Sequence, residues 1–301
     1  MKRAAWLIEA GLAIILSIPL AVLPLPWSRK AGEVLGLLLF HIWGSRRKIA
    51  LENLTETAKA HAIILSQPAE TIIRHNFKNL GKSLAEVIKI YYGLGRTIID
   101  AVHIEGIEYL HVARAKGKGV LLITGHCGNW ELLALASARV SPISIVARPI
   151  NNPYINKFVE RARGKYGNSI IYKKNALKPI MQGLKNNECI GILMDQAVIP
   201  DEGYVINFLG RGAWTTKMPA LIARKTGAAV IPAFIHRDDH GHRIRVYPEV
   251  KLSDDAESAV KTDTEKFSRF IEEYIREQPS EWLWIHRRWK RVPRTHMNST
   301  N

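Results

Sequence analysis

Val120-Leu121-Leu122-Ile123-Thr124-Gly125-His126-Cys127-Gly128-Asn129-Trp130-Glu131-Leu132-Leu133 decides the reading of this chain. The first five residues form a short apolar run of the kind that makes a buried strand. Two glycines then punctuate a turn, and Leu132, Leu133 and Leu135 resume an apolar pattern suited to a helix. His126 therefore falls in a strand-to-helix turn, with Glu131 about one turn into the helix. A neutral imidazole at such a place can take a proton from an alcohol, which is a poor nucleophile at neutral pH. A carboxylate on the other ring nitrogen would fix its tautomer, the role expected here of Glu131. Gly128 and Asn129 lie where the backbone of the turn and the helix N-terminus would face developing negative charge. Cys127 is expected to pack as a small hydrophobe, because its neighbour in sequence seldom shares a face with it.

Outward from this stretch the pattern repeats. Apolar runs at 144–147, 189–194 and 229–235 read as further buried strands, and 153–166, 177–186 and 216–226 as helices between them. The alternation predicts an α/β fold with a mostly parallel sheet flanked by helices. The segment 71–90 carries Ile72, Ile73, Phe77, Leu80 and Leu84 at helical spacing, and a last helix presents Phe267, Phe270, Ile271, Tyr274 and Ile275 on one face. Residues 243–250 alternate like an edge strand, paired to 229–235 across Asp238-Asp239-His240-Gly241. Three His and two Asp lie in 236–242, but ligands so close on a hairpin turn rarely converge, so no metal is assigned.

The N-terminal segment 4–27 is nearly all apolar, with Glu9 as its one charge, and a membrane-spanning helix needs roughly 20 such residues. Lys2 and Arg3 precede it; Arg29, Lys30, Arg46, Arg47 and Lys48 follow. With no small-x-small cleavage site near its end, it reads as a retained anchor rather than a signal peptide. If it spans, the positive flank places the rest of the chain in the cytoplasm. A second apolar stretch, 34–43, suits the interface or a hairpin. The expected division is an anchor or interfacial segment over 1–45 and an enzymatic domain over 46–301. The formal charge of +16 favours anionic partners, and two cysteines among 301 residues exclude a disulfide framework. The tail 282–294 mixes Trp with Arg and Lys, a mixture that suits nucleic acid or a membrane interface; the anchor favours the membrane, with buried ion pairs of Arg287 and Arg288 as the alternative.

Other polar residues fall at strand ends. Arg148 would bind an acceptor phosphate or a developing oxyanion. Asp195, followed by Gln196, is either a site acid or a loop cap. Phe208-Leu209-Gly210-Arg211 with Thr215-Thr216 could open a helix as an anion pocket.

The block Gly125-His126-x-Gly128-Asn129-Trp130-Glu131 resembles the signature of the bacterial lipid A biosynthesis acyltransferases, the lauroyl and myristoyl transferases, which carry His-x4-Asp/Glu. Arg148-Pro149 with Asn152-Pro153, Asp195-Gln196, Phe208-x-Gly210, and Trp282-x-Trp284-x-His286-Arg287-Arg288-Trp289-Lys290 resemble its later blocks, in family order. The resemblance implies a glycerolipid-acyltransferase-like fold and catalysis by His126 and Glu131. Gly128, Asn129, Arg148, Asp195 and Gln196 would serve substrate or oxyanion. It implies O-acyl transfer from acyl-acyl carrier protein to an anionic glycolipid, a lipid A precursor, at the inner membrane, without cofactor or metal. Relatives acylate other glycolipids, including mannosylated phosphoinositides. An acyl-CoA-dependent lysophospholipid or glycolipid acyltransferase is the alternative.

Overall fold

The computed structural model describes residues 2–238, 241–254 and 258–292. In chain order these form α1 (Lys2–Val22), α2 (Leu25–Ile42), α3 (Gly44–Lys59), α4 (Ala69–Tyr91), α5 (Arg96–Asp100), β1 (His103–Glu105), α6 (Ile107–Ala115), β2 (Val120–Thr124), α7 (Trp130–Ser137) and β3 (Ile143–Ala147). Then come α8 (Pro153–Lys165), β4 (Ser169–Tyr172), α9 (Leu177–Lys185), β5 (Cys189–Leu193), β6 (Gly203–Phe208), β7 (Arg211–Thr216), α10 (Met218–Thr226), β8 (Ala229–Asp238), β9 (Gly241–Val246) and α11 (Ala259–Glu277).

Among the described residues, seven strands make one sheet in the order β1-β9-β8-β2-β5-β3-β4. All neighbours run parallel except β8 and β9, which form an antiparallel hairpin. The expected α/β class and mostly parallel sheet are therefore present. Because β2 is central, all five of its residues are buried, and alternate residues feed two cores. Leu121 and Ile123 join Ile190, Ile192 and Phe267 on one face; Leu122 joins Leu132, Leu133, Ile143 and Ile145 on the other.

Three expectations are corrected. The strand over 243–250 is not an edge, since β1 pairs with β9 in register His103↔Arg243. His-Ile-Glu is too short and polar to show a strand period. The Phe208–Arg211 segment opens no helix: Leu209 and Gly210 take positive φ (51° and 75°) and turn β6 into β7. Thr215 there is fully buried and accepts from Arg288. The tail is largely interior as far as Val292, with Arg287 and Arg291 exposed and Pro293 and Arg294 outside the described residues. Trp282 and Trp284 are core residues, and Arg288 is fully buried, donating to the Trp214 carbonyl.

On the helical side α2 packs along α4 at glycine contacts. A Cβ on Gly81 would lie 2.0 Å from the Gly32 carbonyl oxygen, so this spacing tolerates no side chain.

Candidate active site

The strand register assembles the site. Thr124 of β2 pairs with Leu193 of β5, and the Met194 amide donates to the Thr124 carbonyl. Two residues beyond each partner stand His126 and Asp195. His126 Nδ1 lies 2.8 Å from Asp195 Oδ1, and Asp195 Oδ2 accepts from Trp282 Nε1 at 2.8 Å. Burial pushes the Asp195 carboxyl up, but His126 and the indole N–H outweigh it and hold it well below the usual carboxylate range. A carboxylate on Nδ1 fixes the proton there, leaving Nε2 as the acceptor. Nε2 faces Gln196 Nε2 at 3.3 Å, and the edge of Trp130 flanks the ring, centroids 5.2 Å apart.

Glu131 does not orient the imidazole. Arg163 of α8 grips it at 2.6 and 2.8 Å, and Tyr91 donates to it at 2.5 Å. The carboxylate on the histidine comes from the neighbouring strand instead, because β5 ends beside β2 while Glu131 has already turned into α7. Burial, then the Glu131 charge, pushes the Tyr91 hydroxyl up, so it remains a donor.

Gly128 and Asn129 are also not brought to the cavity. The Gly128 amide donates to the Glu281 carbonyl at 2.8 Å; its φ is +55°, and a Cβ there would meet the Ile235 carbonyl at 2.4 Å. Asn129 is the N-cap of α7, accepting from the Leu132 amide at 3.1 Å while donating to Glu86 at 2.9 Å. Glu86 is itself buried and gripped by Arg29, Arg237 and His242. These bonds lock the turn.

The C-terminal segment is stitched beneath that turn. Leu283 donates to the His126 carbonyl, while Asn76 holds the Trp282 carbonyl and Asn53 those of Trp284 and His286. Cys127 is buried against it. Burial, then the Asp195 and Glu281 charges, raises its thiol well above the ordinary value, which disfavours a thiolate nucleophile.

A cavity of about 300 Å³ opens at His126. Arg148, Arg163, Lys173, Glu131 and Gln196 line its polar part. Leu122, Ile143, Ile145, Gly191 and Ala233 line an apolar part that descends along the sheet. Arg148 is exposed, one residue past β3. Arg163 and Lys173 were not singled out from sequence: each is one cation among many, and only the packing of α8 and the end of β4 brings them here.

Residues 2–291 match the bacterial lipid A biosynthesis acyltransferase family. The chain is 27% identical to the lipid A biosynthesis lauroyltransferase of Escherichia coli K12, covering 96% of this chain and 92% of that one. It is 26% identical to the palmitoleoyltransferase of the same strain, with the same coverage. A phosphatidylinositol mannoside acyltransferase of Mycolicibacterium smegmatis is 24% identical over 61% of this chain and 60% of its own.

Proposed function

The chain belongs to the bacterial lipid A biosynthesis acyltransferases, and on that premise we propose that it moves a fatty acyl chain from acyl-acyl carrier protein to a hydroxyl of a lipid A precursor. The observation that carries this reading is the His126–Asp195 pair at the mouth of a cavity with an apolar floor. His126 Nε2 takes the acceptor hydroxyl's proton as its oxygen attacks the thioester carbon, at the point Gln196 marks. The C–S bond then breaks, and the imidazolium returns the proton to the departing thiolate. Asp195 stabilises that imidazolium. Arg148 faces the oxyanion. Glu131 acts through Arg163, holding that guanidinium at the cavity wall beside the acceptor. The fatty chain occupies the apolar part. Ile143 to Ala147 is the five-residue β3, whose four steps give a depth of about 13 Å at ~3.3 Å per step.

A basic surface suits an acidic carrier protein and an anionic acceptor. The apolar 1–45 segment attaches the 46–301 domain to the inner membrane from its cytoplasmic side. A second reading, acyl transfer to another glycolipid or a lysophospholipid from acyl-CoA, is favoured by the likeness to the mannoside acyltransferase. Mass spectrometry of total lipids from a deletion strain separates them. Lipid A lacking one ester-linked acyl chain supports the first reading; unchanged lipid A with an altered glycolipid or phospholipid supports the second.

A further inference from the structure

α1 has 21 residues, about 31 Å of helix at 1.5 Å per residue, and is apolar enough to cross a bilayer. If it crossed, its two ends would lie on opposite sides. The structure ties both ends, and the middle, to one face of the same domain. Near the N-terminus Arg3 donates to Tyr154 at 3.3 Å, and Asn152 donates to the Trp6 carbonyl at 2.8 Å and to Glu9 at 3.0 Å. Midway, Ser17 and Tyr92 share a hydrogen bond of 2.8 Å. At the C-terminus Lys89 donates to the carbonyls of Ala21 and Leu23 at 2.7 and 2.6 Å.

The partners belong to α8 and to the end of α4, beside the sheet. α8 carries Lys157 and Arg161 exposed. A spanning α1 would draw those charges into hydrocarbon, where no water satisfies them. Only a narrow stripe of α1, Ala10, Leu20 and Ala21, is buried by protein. Leu7, Ile8, Leu12, Ile15, Leu16 and Val22 are exposed. The outward side of α2 adds Trp27, Val34, Leu38 and Ile42. Cations flank this apolar surface: Lys2 and Arg3 at the start of α1 and the exposed Lys30 in α2. Such a pattern places the helix ends at headgroup depth, with the apolar faces below.

We infer that α1 and α2 lie in a single leaflet of an anionic membrane, with the N-terminus and the catalytic domain on the same side. This rests on the membrane attachment in the proposed function and replaces a span by an in-plane docking surface. The test uses the full chain carrying Lys2→Cys and Lys185→Cys. Lys185 is exposed at the end of α9, on the far side of the sheet, and the native Cys127 and Cys189 are buried. The protein is reconstituted through detergent into sealed phosphatidylethanolamine–phosphatidylglycerol liposomes, so that both orientations are sampled. It is then treated with a membrane-impermeant maleimide and weighed intact. In detergent every molecule should carry two adducts. In liposomes each molecule should carry two adducts or none, because both sites share a side. Molecules with a single adduct overturn the single-leaflet placement and leave the attachment standing. Protein that fails to float with the liposomes overturns both.

Discussion

Asp195→Asn should nearly silence the enzyme while leaving it folded. The substitution keeps the shape of a buried side chain but removes the charge 2.8 Å from His126 Nδ1. It also leaves one carbonyl oxygen for two donors, the imidazole N–H and the Trp282 N–H. If that oxygen stays on Trp282, the new amide faces Nδ1, moves the imidazole proton to Nε2, and abolishes the base. The electrostatic loss alone is large. An imidazolium and a carboxylate with charge centres roughly 4 Å apart interact by about 4 kcal/mol at an effective dielectric of 20. That is about 10³-fold in rate, and the wrong tautomer adds to it. The assay is kcat for acyl transfer to detergent-dispersed acceptor, with thermal unfolding confirming the fold. A folded variant within tenfold of wild type would show that Asp195 does not serve the imidazole.

Glu131→Gln frees Arg163 without touching His126; it should lower kcat/KM about 10–100-fold, chiefly through acceptor KM, and equal loss in kcat with KM unchanged would place Glu131 on the reacting atoms instead. Gly191→Ala should shift the preferred donor toward shorter chains, since the added Cβ would stand 3.0 Å from Ile143 Cγ2 in the cavity floor, and an unaltered chain-length profile would put the acyl chain elsewhere. Burial pushes the Glu281 carboxyl up from 4.5 to about 7, with Arg237 and Lys82 opposing and Glu86 assisting. The folded state then holds that proton more tightly than the unfolded chain. The stabilisation is full below pH 4.5 and is lost as pH rises toward about 7, amounting to ~3 kcal/mol over about 2.5 units. Glu281→Gln should therefore gain Tm relative to wild type as pH rises from 5 to 8, and parallel Tm curves would refute the assignment. Transfer from acyl-acyl carrier protein should exceed that from acyl-CoA of the same chain and should weaken with salt; the reverse preference would remove the carrier protein from the scheme.

The strand, turn and helix around His126 were readable because apolar run, glycines and renewed apolar pattern follow one another within a few residues. β8 and β9 were readable for the same reason. The partner of His126 was not. Which carboxylate reaches Nδ1 depends on β5 lying beside β2, an order that a sequence separation of 69 does not declare. Asp195 was visible as a strand-ending acid able to serve a site, without its partner; Glu131 attracted the imidazole by nearness in sequence and by the resemblance to the His-x4-Asp/Glu motif. Arg163 sits in a helix with Lys157, Arg161 and Lys165, where nothing local distinguishes the cation that turns inward. The hairpin β6–β7 was concealed by its turn, Leu209-Gly210, which lacks the Asn-Gly or Asp-Gly signal. The Trp and Arg residues of the tail have the composition of an interface, yet Asn53 and Asn76 draw that segment beneath the turn that carries His126. Such long-range side-chain to backbone bonds leave no periodic trace.

The central claim is direct, His126-dependent transfer from thioester to hydroxyl. Its most direct test is a purified assay in detergent with radiolabelled acyl-acyl carrier protein and a lipid A precursor, comparing wild type with His126→Ala. Wild type should yield acceptor carrying one added ester-linked chain, with no acyl group on the protein by intact mass. The variant should remain folded and lose at least 10²-fold in rate, the scale of a general base. Undiminished transfer by the variant, or acyl groups trapped on Cys127, would contradict the account.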